Sequence, residues 1–127
     1  MQTISKSQPT KIATQQTQTQ VNQKGERVYA IAFDMDIEAL RLNYGDPYNN
    51  AYTDIGKVLQ RNGFVRQQGS VYFGNENINA VTCVLAAIDL SRSLPWFSGS
   101  VRDIRMLRIE ELNDLMPAVL QNLPRSL

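Results

Sequence analysis

Val28-Tyr29-Ala30-Ile31-Ala32-Phe33-Asp34 is the stretch that most restricts what this chain can fold into. A short, unbroken apolar run rich in β-branched and aromatic residues reads as a strand covered on both faces. A carboxylate closes it. An acid held at the end of a rigid strand is costly to bury and stays close to water, which makes Asp34 the first candidate for chemistry. The same residue would serve equally well to open a turn or cap the next helix.

The segments that follow alternate in kind. Asp36 caps a short helix carrying Ile37, Leu40 and Tyr44 on one side, and Gly45 ends it. Asp46-Pro47 is a cap and first-turn proline for a longer helix with Tyr48, Tyr52, Ile55 and Leu59 in its stripe, widened by Ala51 and Val58 and stopped at Asn62-Gly63. From Phe64 the period becomes that of strands. Phe64 to Gln67 and Ser70 to Phe73 form a hairpin around Gln68-Gly69. A further helix is predicted over about Asn77 to Leu94, with Ile78, Val81, Leu85 and Ile88 facing the core and Pro95 stopping it. Trp96 and Phe97 seal its end. Val101 to Ile109 is a fourth strand, with Ile104 and Met106 on one face and Val101, Leu107 and Ile109 on the other. In the tail from Glu110 to Gln121, Pro117 bends or divides short helical pieces.

The order is β-α-β-β-α-β, which defines an α+β class protein with a ferredoxin-like, antiparallel four-stranded sheet and a short C-terminal helical tail. Right-handed crossovers make strand 1 parallel to strand 2 and strand 3 parallel to strand 4, and in this architecture strands 1 and 3 are the central neighbours. The C-terminal end of strand 1 then lies beside the start of strand 3, making Asp34 and Ser70 spatial neighbours next to the backbone donors of the Gln67-Gln68-Gly69 turn. That arrangement suits phosphate handling. Structurally, it also suits a serine that simply donates to the acid. Two helices cover one face of such a sheet, whereas strand 1 is apolar on both, so a homodimer stacked through the open faces is expected. Two copies of Asp34 facing each other would repel unless protonated or bridged by a divalent cation such as Mg2+.

Composition limits the chemistry. The 127 residues contain no histidine, so Ser-His-Asp and Cys-His nucleophiles are excluded, leaving carboxylate, hydroxyl, arginine or metal. Thirteen basic against twelve acidic residues leave no global field for a polyanion, and any basic surface is local. The single cysteine, Cys83, falls within an apolar helical pattern and reads as a buried thiol in a cytoplasmic protein. Residues 1–26, rich in Gln, Thr, Ser and Lys, read as a disordered polar tail preceding one domain over 27–127. No stretch is apolar and long enough for a secretory signal or a membrane span.

Several motifs in order carry a family resemblance: Tyr29 to Asp34; Tyr44-Gly45-Asp46-Pro47-Tyr48 with Ala51-Tyr52; Gly63-Phe64 with Gln68-Gly69-Ser70-Val71-Tyr72; Trp96-Phe97; and Ser100 to Arg105. Across about residues 28 to 116 the chain resembles the virulence-associated protein D family, VapD. The resemblance implies a ferredoxin-like homodimer related in fold to the small CRISPR-associated nucleases and an endoribonuclease acting on RNA. Because some relatives are toxins of toxin-antitoxin pairs, it also implies a small antitoxin protein as a partner. The family's strand-1 aspartate matches Asp34 and its serine after the Gln-Gly turn matches Ser70.

Two routes are then open. Asp34 acts as general base or Mg2+ ligand for an attacking water, or it deprotonates the RNA 2′-hydroxyl while Ser70 positions the phosphate, which spares DNA. An ordinary aspartate is a weak base at neutrality, so the second route asks for help from burial or from a symmetry mate. Arg66, Arg102, Arg105 and Arg108 are the local cations for RNA phosphates, with Asp103, Glu110 and Glu111 competing for those on strand 4, and Gln67 or Gln68 can read a base edge. The competing class is a non-catalytic ferredoxin-like dimer that binds RNA or protein without cutting.

Overall fold

A computed structural model describes residues 28–121. The tail expected over 1–26 lies outside the described residues. Val28–Ile109 forms one compact unit, and the segment from Glu110 belongs to another. In chain order the elements are β1 (Val28–Met35), α1 (Ile37–Asn43), α2 (Asn49–Arg61), β2 (Phe64–Gln68), β3 (Val71–Gly74), α3 (Ala80–Ser93), β4 (Val101–Ile109) and α4 (Met116–Gln121). The sheet runs β2-β3-β1-β4, and every neighbouring pair is antiparallel. This is the ferredoxin-like order, with β1 and β3 central.

Local chemistry accounts for most of these boundaries. The Asp36 carboxylate accepts from the Ala39 amide at 3.1 Å and starts α1. Asn79 and Thr82 cap α3 reciprocally, each side chain accepting from the other's backbone amide. Gly69 takes φ +52° in the hairpin turn, a left-handed conformation that L side chains rarely adopt. The core lies on one face of the sheet: Ile31, Phe33 and Met35 of β1 and Tyr72 of β3 meet Leu40 of α1, Ile55 and Leu59 of α2 and Leu90 of α3. The alternate residues of β1 face the other way. Ala30 there is fully buried because its registered neighbours Phe73 and Leu107 close over it.

Three local expectations are corrected. Helix α2 begins at Asn49 behind a Tyr48 cap rather than at Pro47, because the Asp46-Pro47 pair belongs to the preceding turn. Helix α3 begins at Ala80 and buries Cys83, Ala86 and Leu90, while Val81, Leu85 and Ile88 are each at least 40% exposed. Small side chains at 83 and 86 let the helix lie close to its neighbours, which turns the bulkier stripe outward. Val101 shares the core face with Ile104: the register shifts between Asp34 and Met35, so that Asp34 pairs with Asp103 and Met35 with Val101. Arg102 is the extra residue of this bulge, and it inverts the alternation.

Helices α2 and α3 are clamped by a polar cluster. Arg61 donates to both oxygens of Asp89, at 3.1 and 2.8 Å, and Asn62 and Ser93 donate to the same carboxylate at 2.8 and 2.7 Å. These bonds hold the Asp89 carboxyl well below the usual carboxylate range. A folded-state value below the unfolded one, about 3.9, gives stability that is present above that value and is lost as pH falls through the folded one. Thermal unfolding followed from pH 6 down to pH 2 should therefore show a drop in Tm at the acid end, and Asp89→Asn should flatten that drop.

Among the described residues beyond Ile109 there is one short helix, α4, with Pro117 in its first turn, where no backbone hydrogen bond is sacrificed. The proline therefore opens a single helix and does not divide one. Its Leu115, Met116, Val119 and Leu120 are exposed.

Candidate active site

The end of β1 that carries Asp34 is where three elements converge. β1 supplies the acid, β4 runs alongside it, and the β2–β3 turn is fastened to it by a 3.1 Å bond from the Phe33 amide to the Ser70 carbonyl. Asp34 is exposed over 62% of its side chain, so it is open to a polynucleotide and is not sealed in a dry ion pair. Arg102 Nη1 lies 3.7 Å from Asp34 Oδ2. The bulge explains this contact: Arg102 is the extra residue between Val101 and Asp103, and its insertion re-aims the side chain toward the acid.

Beyond Arg102, Asp103 stands directly across from Asp34 in the β1–β4 register. Both of its oxygens accept from Arg105 Nε, at 3.0 and 3.1 Å. Two carboxylates and two guanidiniums thus alternate at one sheet end. Pairing of each arginine with an acid keeps the cations where a phosphate would approach without a net repulsive cluster of carboxylates.

The remaining sequence-nominated residues divide between two faces. Ser70 falls opposite Phe33, whose side chain is in the core, and lines a cleft with it on the helix-covered side. Asp34, one residue on, projects from the opposite side by strand alternation. The backbones are neighbours as the topology requires. Arg66 lines the same cleft as Ser70, its Nε donating to the Gly69 carbonyl at 2.9 Å. Gln68 is exposed at the end of β2, after the extra residue Gln67 of a second bulge. Arg105 serves Asp103, and Arg108 lies farther along β4 across from Tyr29.

Sequence reasoning noticed Asp103 only as a competitor for arginines. Its position opposite Asp34 follows from pairing a nine-residue β4 antiparallel to β1, a signal the sequence does contain. Lys57 and Gln60, which also line the cleft, carried no signal of their own on the solvent side of α2.

Oxygen donors suit Mg2+ in kind, and one or two carboxylates are what it usually takes from a protein. Asp34 and Asp103, paired across the β1–β4 register, are the carboxylates that would hold such an ion, and each also has a guanidinium beside it. Among the described residues no group of three or more acidic, cysteine or histidine side chains comes together.

Fold and site together define a ferredoxin-like domain with an exposed acid-arginine centre at one end of its central strands. The chain is 54% identical over 93 residues to endoribonuclease VapD 2 of Riemerella anatipestifer, covering 72% of this chain and 99% of that protein. It is 50% identical to an endoribonuclease VapD homolog of Helicobacter pylori and 48% identical to endoribonuclease VapD of Dichelobacter nodosus, over 92 residues in each case, which is 96% and 97% of those proteins. No protein-family model matches the chain. The chain belongs to the VapD family of endoribonucleases. No helix among the described residues is long and apolar enough to cross a membrane.

Proposed function

We propose that the protein is a cytoplasmic endoribonuclease that cuts single-stranded RNA by internal attack of the 2′-hydroxyl, working as a homodimer. The observation that carries this reading is the exposed Asp34 carboxylate with the Arg102 guanidinium 3.7 Å away. Asp34 takes the 2′-hydroxyl proton as the oxygen closes on phosphorus. Arg102, displaced from the carboxylate toward the phosphate, offsets the charge that builds on the non-bridging oxygens. The P–O5′ bond breaks, and the leaving oxygen is protonated from the solvent that reaches this open site. Ser70 and Arg66, on the other side of the turn, hold the strand. The family's name supports RNA as the substrate.

Support for the dimer comes from the sheet face opposite the core, where the small Ala30 lies between Phe73 and Leu107 and Ala32 between Val71 and Arg105. A second copy stacked there would bring two Asp34-Asp103 ends toward one axis. As the toxin of a toxin-antitoxin pair, it would be held in check by a small antitoxin protein.

Purified protein incubated with an RNA oligonucleotide and its DNA counterpart, with and without chelator, tests the reading. Cleavage of RNA alone, leaving 2′,3′-cyclic phosphate ends in the presence of chelator and from a species sedimenting as two chains, is the expected result. Cleavage of both nucleic acids, or a requirement for Mg2+ with 5′-phosphate products, would replace it by the water route, which the opposition of Asp34 and Asp103 favours as the second reading.

A further inference from the structure

A cleft of about 630 Å³ lies between α2 and the β2–β3 hairpin, on the helix-covered side of the sheet, and neither Asp34 nor Arg102 lines it. Pockets of about 300–1,000 Å³ take small organic ligands, so this one has room for a nucleotide unit rather than a folded chain. Its walls are of two kinds. Phe33, Tyr52 and Tyr72 provide aromatic surface, with the Phe33 and Tyr72 rings stacked at 6.1 Å and 28°. Lys57 on α2 and Arg66 on β2 provide cations from opposite sides, and no carboxylate lines the cleft. Lys57 is exposed and forms no ion pair among the described residues. Arg66 is braced at its Nε by the Gly69 carbonyl and has no ion pair among the described residues, so the forked end of its guanidinium is left for a ligand.

Gly56 shapes the inner end. A Cβ on this residue would come within 2.8 Å of the Tyr72 hydroxyl, so the missing side chain is what lets α2 close onto the ring. The cleft also communicates with the acid. Phe33, part of its wall, immediately precedes Asp34, and Ser70, another part, is bonded to Phe33 through the backbone. The Tyr52 phenol is pushed above its ordinary value chiefly by burial, with smaller contributions from Tyr48 and from the negative charge of Asp34.

Rings for a base to stack on, below a pair of cations for a phosphate, are the two things single-stranded nucleic acid asks of a surface. We propose that this cleft is a subsite for one nucleotide of the RNA strand, next to the nucleotide cut at Asp34, with Lys57 and Arg66 on its phosphate and Tyr52 against its base. The position of this subsite beside the scissile nucleotide rests on the nuclease reading; the binding does not.

The experiment measures fluorescence anisotropy of a labelled single-stranded RNA oligonucleotide with the full chain carrying Asp34→Asn, so that nothing is cut. Adding Lys57→Gln should weaken binding about tenfold and lower the slope of log affinity against log salt by about 0.7, the share of one single-strand phosphate contact. Lys57→Arg should restore both. In the chain with Asp34 intact, Lys57→Gln should raise KM and leave kcat in place. Unchanged affinity and salt slope in Lys57→Gln, or no measurable RNA binding by the parent, would overturn the subsite. If Lys57→Gln weakens binding while Asp34→Asn still cleaves, the assignment of Asp34 to the chemistry fails and the cleft stands. If Asp34→Asn abolishes cleavage and Lys57→Gln changes nothing, the cleft alone falls.

Discussion

Asp34→Asn should reduce RNA cleavage by about 10²–10⁴-fold, the usual contribution of a positioned proton acceptor, while the protein stays folded. The amide keeps the size and hydrogen-bonding shape of the carboxylate and loses its ability to take a proton near neutrality. Folding has little to lose at this position, since the side chain is 62% exposed and its one ion pair, to Arg102, is of the surface kind, worth about 0–1 kcal/mol. Cleavage rates and a thermal melt on the same preparation separate the two effects. A variant that melts normally and cuts RNA at the parent rate would remove Asp34 from the chemistry. Arg102→Lys is the natural companion: it keeps the charge and loses the planar fork, so it should lower kcat by less than Arg102→Gln.

Phe64→Ala should destabilise the domain by about 3–5 kcal/mol, a large part of the 5–15 kcal/mol or so that holds an ordinary domain together, and lower Tm by roughly 10 °C or more. The reason lies in β2. Of its five residues only Phe64 is buried, at 1% exposure, and the other four face solvent. A single ring therefore anchors an edge strand to the core. Val65→Ala, one residue along and 65% exposed, is the control and should shift stability by no more than about 0.5 kcal/mol. Denaturant melts of both variants distinguish an anchored strand from one held mainly by its ladder to β3; equal losses would favour the ladder. Because Arg66, Gly69 and Ser70 ride on this hairpin, Phe64→Ala should also weaken whatever the cleft binds.

Much of this architecture is legible in the chain because local and global preferences agree. The apolar run from Val28, the Asp36 cap, the glycine turn at Gly69 and the limits of β4 each follow from signals within a few residues. The errors arise where the deciding interaction is remote. Nothing near Val81 or Leu85 says that the smaller Cys83 and Ala86 will be chosen for the core, because that choice depends on how closely α3 approaches the rest of the domain. The side on which Val101 falls depends on one inserted residue in the pairing of β4 with β1, which alternation alone cannot foresee. At the site, topology puts Ser70 beside the end of β1, where the Phe33 amide donates to its carbonyl. The partnership of Arg102 with Asp34 needed the bulge.

The outer position of β4 has a further consequence. Nine residues long and at the border of the sheet, it would ordinarily offer a template on which other chains could grow into fibrils. Arg102, Arg105 and Arg108 recur along it, and the irregularity at Arg102 breaks its straight outline. The same guanidiniums that ready this border for a polyanion therefore discourage sticky, unplanned polymerisation, so replacing several of them by apolar residues would endanger solubility before it endangered the fold.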